Sequence, residues 1–155
     1  GSSAGSAGGV TYGLSNAPAF PGSGSGYSPN GSSAGARGGG YVRVRCARRI
    51  VLDGTISADG QSNAGATSGG GSGGGIWLTS RSFGGSGLLS AKGGNCGSWA
   101  QGGGGGGGRI AVGAKIPGYG SLTTDADGGA GTENGAPGTV VLYQIPFEGT
   151  LFTLR

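Results

Sequence analysis

Apolar residues along this chain come in short alternating runs, each preceded by glycine. Gly38–Gly40 precedes Val42 and Val44, and Gly73–Gly75 precedes Ile76 and Leu78. Gly102–Gly108 precedes Ile110 and Val112, and the stretch Gly135–Gly138 precedes Val140 and Leu142. The steps between equivalent positions, from Val42 to Ile76 to Ile110 to Val140, are 34, 34 and 30 residues. Recurrence at this length marks stacked structural units. Inside each run the period is two, which predicts a strand with its apolar side chains on one face. First strands are predicted over 41–47, 76–80, 110–113 and 139–143. Second strands are predicted over 55–59, 88–92, 122–127 and 150–154, after turns marked by Asp53-Gly54, residues 84–87, residues 118–120 and Glu148-Gly149. Superposing the second strands stacks Ala58, Ala91 and Ala126, and sets Asp59, Lys92 and Asp127 in one column of alternating sign.

Composition decides what joins the strands. Glycine supplies 44 of 155 residues, and ordering glycine costs more backbone entropy than ordering any other residue. The tracts are therefore either flexible linkers or extended segments that bond to one another through their amides. Collagen is excluded, because there is no strict Gly-X-Y period and there are 6 prolines. The strand cadence favours order, so residues 65–75, 97–108 and 128–138 are expected to lie side by side. The expected fold is all-β: a parallel β-solenoid-like repeat domain with polyglycine- or polyproline-II-like return segments. Four units occupy residues 38–155, after a Gly/Ser-rich N-terminal segment over 1–37 that holds Val10, Tyr12, Leu14, Phe20 and Tyr27. The competing arrangement is an antiparallel sandwich that uses the glycine turns as hairpins.

The ordered set of motifs resembles a known sequence type. Gly73–Gly75 with Ile76-Trp77-Leu78-Thr79, then Gly85-Ser86-Gly87-Leu88-Leu89-Ser90-Ala91-Lys92-Gly93-Gly94, then Gly102–Gly108 with Arg109-Ile110-Ala111-Val112, resemble glycine-rich repeats of large secreted and cell-surface proteins of environmental bacteria and some eukaryotes. Residues 53–60 look like the variant that opens such arrays, and residues 137–142 like the one that closes them. The likeness spans roughly residues 37–145. It implies an extracellular, non-catalytic region, and it brings no family site residues. A more distant likeness is to polyglycine-II bundles of some receptor kinases and phage tail-fibre adhesins, whose strand layout differs.

Charge is sparse, with 10 basic and 6 acidic residues. The absence of histidine removes the commonest general base and zinc ligand, and no carboxylate pair stands in a glycosidase-like context. No enzyme activity and no cofactor are expected. The glycine runs match phosphate-loop patterns trivially, and no Gly-Lys-Ser/Thr follows them. Asp125, Asp127 and Glu133 are candidates for a calcium loop, with solvated turn carboxylates as the plainer reading. Arg43, Arg45, Arg48 and Arg49 form the one concentrated charge feature. They could contact an anionic partner such as a polysaccharide, or they could be a charged solvent face that keeps the strand soluble and discourages mispairing. Nucleic acid is not expected as a partner. Cys46 and Cys96 permit one disulfide without requiring it. Asn30-Gly31-Ser32 fits a glycosylation acceptor. Trp77, Trp99, Tyr119, Tyr143 and Phe147 are candidates for a sugar platform, Trp99 being the one expected to be most exposed.

No apolar stretch is long enough to span a bilayer. The chain begins Gly1-Ser2-Ser3, lacks Met, and reads as a processed piece of a longer precursor. Residues Thr150, Leu151, Phe152, Thr153 and Leu154 alternate as an unpaired strand would and are the candidate self-assembly edge. The expectation is a secreted, extracellular structural subunit that assembles with itself into a fibre or matrix. The alternative is a cell-surface adhesin or glycan-binding module. Ice binding is a minor third reading, because Thr79, Thr123 and Thr124 form no regular threonine array.

Overall fold

The computed structural model describes residues 12–26, 34–63, 68–97 and 102–148. Seven strands are present among them: β1 (Tyr41–Val51), β2 (Thr55–Ser57), β3 (Gly75–Gly84), β4 (Leu88–Ser90), β5 (Arg109–Ile116), β6 (Thr123–Asp125) and β7 (Thr139–Gln144). No described residue is helical. The strands form two sheets, a four-stranded one in the order β1-β3-β5-β7 and a three-stranded one in the order β2-β4-β6. Every pairing is parallel, which rules out the antiparallel sandwich. The chain visits the large sheet, then the small sheet, then a glycine-rich stretch, and returns to the large sheet one strand further on.

Register follows the apolar alternation. Val42, Ile76, Ile110 and Val140 align across the large sheet, and so do Val44, Leu78, Val112 and Leu142. Parallel neighbours in register stack like on like, which gives two aliphatic ladders facing the small sheet. Leu89 joins them from β4, and Ile76, Leu78, Leu89, Ile110 and Val112 are all fully buried. Each such side chain contributes about 1.5–3 kcal/mol relative to exposure. Ala58, Ala91 and Ala126 also belong to this core, as their superposition predicts.

The strand bounds differ from expectation. First strands run longer, and β1 reaches Val51 through a register shift between Cys46 and Arg49. Second strands are only three residues each, because Ala58, Ala91 and Ala126 already belong to the bonded glycine-rich layer. The predicted strand over 150–154 lies outside the described residues, as does the region around Trp99 and Asn30.

The glycine-rich stretches bond to one another in a repeating pattern. Gly70 and Gly73 donate their N–H groups to Gly103 and Gly106 in the next unit. Gly71 and Gly74 donate to Gln61 and Ala58, while Ser72 and Gly75 donate to Ser23 and Gly40. Successive amides thus point to three different neighbours with a period of three. This satisfies backbone groups that a buried loop would leave unpaired. The close approach requires glycine: a Cβ on Gly70 would sit 1.8 Å from the Gly94 carbonyl oxygen, and one on Gly105 would sit 1.9 Å from that of Gly71. Residues 22–25 and 36–39 also join this layer, through Gly22 to Gly39 and Ser25 to Ala36.

Candidate functional site

Two features concentrate chemistry: the face of the large sheet turned away from the core, and the two ends of the stack. On the outward face Arg43, Trp77, Ala111 and Val141 share one row, and Arg45, Thr79, Gly113 and Tyr143 share the next. The Arg43 guanidinium lies 4.3 Å from the Trp77 ring centroid, a cation–π contact between adjacent strands. Trp77 Nε1–H donates to Tyr143 Oη at 3.3 Å. The Tyr143 ring lies across Gly113, where a Cβ would come within 2.5 Å of it. Ala111, between these rings in the register, is fully buried. The result is a flat cap of one arginine and two aromatics spanning all four strands. The sequence offers Trp77 and Tyr143 as members of one candidate aromatic platform with Trp99, Tyr119 and Phe147; of these, Trp77 and Tyr143 meet here, with Gly113, paired with Tyr143, leaving room for the ring.

The N-terminal segment closes one end of that face. Pro18 is buried, and Pro18 and Phe20 approach Gly75. Tyr12 donates its hydroxyl to the Pro21 carbonyl at 2.7 Å and meets Phe20 edge-on at 6.0 Å. Arg109 lies 6.0 Å from the Tyr12 ring centroid. Between this segment and the glycine-rich layer is a cleft of about 460 Å³ lined in part by Tyr12, Phe20, Arg109, Glu133 and Pro137.

Of the arginines singled out in the sequence, Arg43, Arg45, Arg48 and Arg49 are all exposed on β1, an edge strand. Among the described residues none of them has a carboxylate within salt-bridge distance; the pair formed is Lys92 with Asp125, at 3.5 Å. Lys92 shares its column with Asp59 and Asp127, yet reaches diagonally to Asp125, so among the described residues neither column neighbour is its salt-bridge partner. Both partners are solvated, and the pair is worth about 0.2–1 kcal/mol.

The acids of the first unit point along the stack. Asp53 Oδ1 accepts the Ser86 N–H at 3.1 Å. Asp59 Oδ1 accepts from Ser90 Oγ at 2.6 Å and the Lys92 N–H at 2.7 Å, and Oδ2 accepts from Ser57 Oγ at 2.8 Å. Burial works to raise the Asp59 pKa, but the bonds from Ser90, Lys92 N–H and Ser57, with the Lys92 charge, outweigh it and hold the carboxyl below its ordinary value. A depressed pKa contributes stability that is present above the unfolded value and lost as pH falls through the folded one. Asp59→Asn is therefore expected to flatten the fall in stability below about pH 4, measured by urea unfolding at a series of pH values. An acid limb identical to that of the parent would remove Asp59 as its source.

Other candidates separate. Cys46 and Cys96 are free thiols on different elements, Cys46 Sγ reaching the Arg49 carbonyl at 3.4 Å and the Cys96 N–H donating to Ala130. Asp125 ends β6 and Asp127 follows it after Ala126, while Glu133 lies in the glycine-rich layer and its carbonyl accepts the Gly104 N–H. Among the described residues no three His, Cys, Asp or Glu gather closely enough to hold a metal ion. Tyr119 is structural: its hydroxyl donates to the Tyr143 carbonyl at 2.9 Å, its ring meets Phe83 at 5.6 Å, and burial pushes its phenol up. Phe147 is exposed, 5.9 Å from Lys115 Nζ. Among the described residues no helix is long and apolar enough to cross a membrane.

Comparison of the chain with protein-family models, curated proteins and solved structures found no match.

Proposed function

We propose that the chain is a non-catalytic, secreted structural subunit, a solenoid-like coil with a polyglycine-type return layer, that stacks on copies of itself to build a fibre or surface matrix. The observation that carries this reading is the way the ladders end. Ile76, Leu78, Ile110 and Val112 are buried inside the stack, whereas Val44 at one end is 39 % exposed and Val140 and Leu142 at the other are each 41 % exposed. Among the described residues, β1 and β7 each have one strand partner in the sheet. Unpaired parallel edges with exposed apolar rows are templates for another strand in the same register. Because the two ends differ, joining them is heterologous, and such a contact grows into a filament where successive copies do not close on themselves.

Electron microscopy across a dilution series tests this. The expected result is uniform filaments above a critical concentration, with an axial repeat equal to one four-unit stack. Monodisperse particles at every concentration would overturn it.

A second reading, glycan binding at a cell surface, is favoured by the cleft beside Tyr12 and Phe20. Aromatic rings next to Arg109 and Glu133 are a suitable lining for a sugar. Saturable binding of a defined glycan by monomers that never form filaments would select this second reading.

A further inference from the structure

Charge is distributed along the stack in one direction. Of the charged residues in the described first-unit stretch 34–63, Arg37, Arg43, Arg45, Arg48 and Arg49 are exposed, while Asp53 and Asp59 are bonded to groups of the second unit. Stretches 68–97 and 102–116 carry Arg81, Lys92, Arg109 and Lys115 and no acid. The last stretch, 117–148, carries Asp125, Asp127, Glu133 and Glu148 and no base. Asp127, Glu133 and Glu148 are exposed, with no ion-pair partner among the described residues. Among the described residues the leading end is basic and the trailing end acidic; Arg155 lies beyond them.

Resting on the self-assembly reading, we infer that the joint is an ionic head-to-tail contact in which the β1 arginines of one copy face the trailing carboxylates of the copy before it. The register shows which groups would meet. Tyr41, Gly75, Arg109 and Thr139 form one row, so a following copy continues it by placing its Tyr41 beside Thr139. Arg45 of that copy then falls beside Tyr143, repeating the adjacent-strand relation of Arg43 to Trp77. Past the shift in β1, Arg49 aligns with Ser82 and Ile116, and the next place in that row is Pro146, two residues from Glu148. Counting back from Tyr41, Arg37 falls beside Gly135, two residues from Glu133. Glu133 and Glu148 both lie outside the strands, each within two residues of a position in an arginine row.

The glycine-rich layer is incomplete at the joint. Gly39, Gly73 and Gly107 each donate an N–H to the following unit, to Ser72, Gly106 and Ala136. The equivalent position in the last unit is Pro137, which has no N–H. The glycine-rich layer therefore loses a bond at the joint that it makes between units, and opposite charge supplies attraction and direction instead. Like ends brought together would face arginine with arginine, so head-to-head contacts are disfavoured.

The test measures the critical concentration for filaments of the full chain by sedimentation, with electron microscopy, at several NaCl concentrations. Arg49→Glu, Glu148→Arg and the double exchange are compared with the parent, and circular dichroism checks that each folds. Both sites are exposed on the described surface, so folding is expected to persist. Each single reversal is expected to raise the critical concentration roughly tenfold at low salt, with the double exchange restoring it and added salt weakening parent assembly. Parent filaments that ignore salt and both reversals would overturn the ionic joint while leaving the structural reading intact. A parent that never assembles would overturn both.

Discussion

Gly105→Ala is expected to cost at least about 3 kcal/mol of stability, while Gly106→Ala, its neighbour, is expected to be neutral or to stabilise by up to about 1 kcal/mol. The difference lies in what each new methyl would meet. At Gly105 the Cβ would stand 1.9 Å from the Gly71 carbonyl oxygen and 2.5 Å from its carbon, both backbone atoms of a neighbouring segment. No rotamer change relieves that overlap. Gly105 also donates to Gly94 at 2.9 Å and accepts from Gly129 at 2.8 Å, and Gly71 itself bonds to Gly94 and Gln61. Separating the segments by the width of a methyl would break several of these bonds together, each worth about 1 kcal/mol net and more if its groups stay buried. At Gly106 the nearest atom is the Ala136 carbonyl oxygen at 3.8 Å, an ordinary contact. Alanine there restricts the unfolded chain without crowding the folded one. Urea unfolding followed by circular dichroism reads both variants, and equal stabilities would show that the layer is not close-packed at Gly105.

Part of this fold is legible in the amino-acid order. Alternation at Val42-x-Val44, Ile76-x-Leu78, Ile110-x-Val112 and Val140-x-Leu142 is local, and the glycine tract that recurs before each pair, at steps of 34, 34 and 30 residues, indicates which residues become neighbours. Parallel stacking, the aliphatic ladders and the alanine row follow from that spacing. The ends of elements do not. Ser57, Ser90 and Asp125 end their strands because the next residues bond to glycine segments from other units, a partner choice set by tertiary packing. The extension of β1 to Val51 depends on the shift between Cys46 and Arg49, which no residue type there announces. The outward cap was only half visible. Trp77 reads as a packed core or edge residue because its neighbours are apolar, and its bond to Tyr143 joins residues 66 apart in the chain and depends on Gly113 leaving room for the ring. The basic-to-acidic polarity was present in the sequence all along, and acquires meaning once the units are seen to stack in chain order.

Ile110→Ala is expected to destabilise the chain by about 2–5 kcal/mol, and Val140→Ala, in the same row, by less than about 1 kcal/mol in dilute solution. Ile110 is fully buried between Ile76 and Val140 and beneath the small sheet, so truncation removes three carbons from the core and leaves a cavity that flanking strands cannot fill without breaking register. Val140 is the end of that row and is 41 % exposed, so much of its side chain has no packing to lose. The ordering of these costs reverses in assembly. In the filament proposed above, Val140 stands beside Val42 of the next copy and becomes an interior member of a continuous ladder. Val140→Ala should then raise the critical concentration although it scarcely alters unfolding of the monomer. Ile110→Ala should act through the fold, lowering the urea midpoint at concentrations where no filaments exist. If both substitutions shift monomer stability equally, the exposed ends are not unfinished core, and the apolar rows have no role in joining copies.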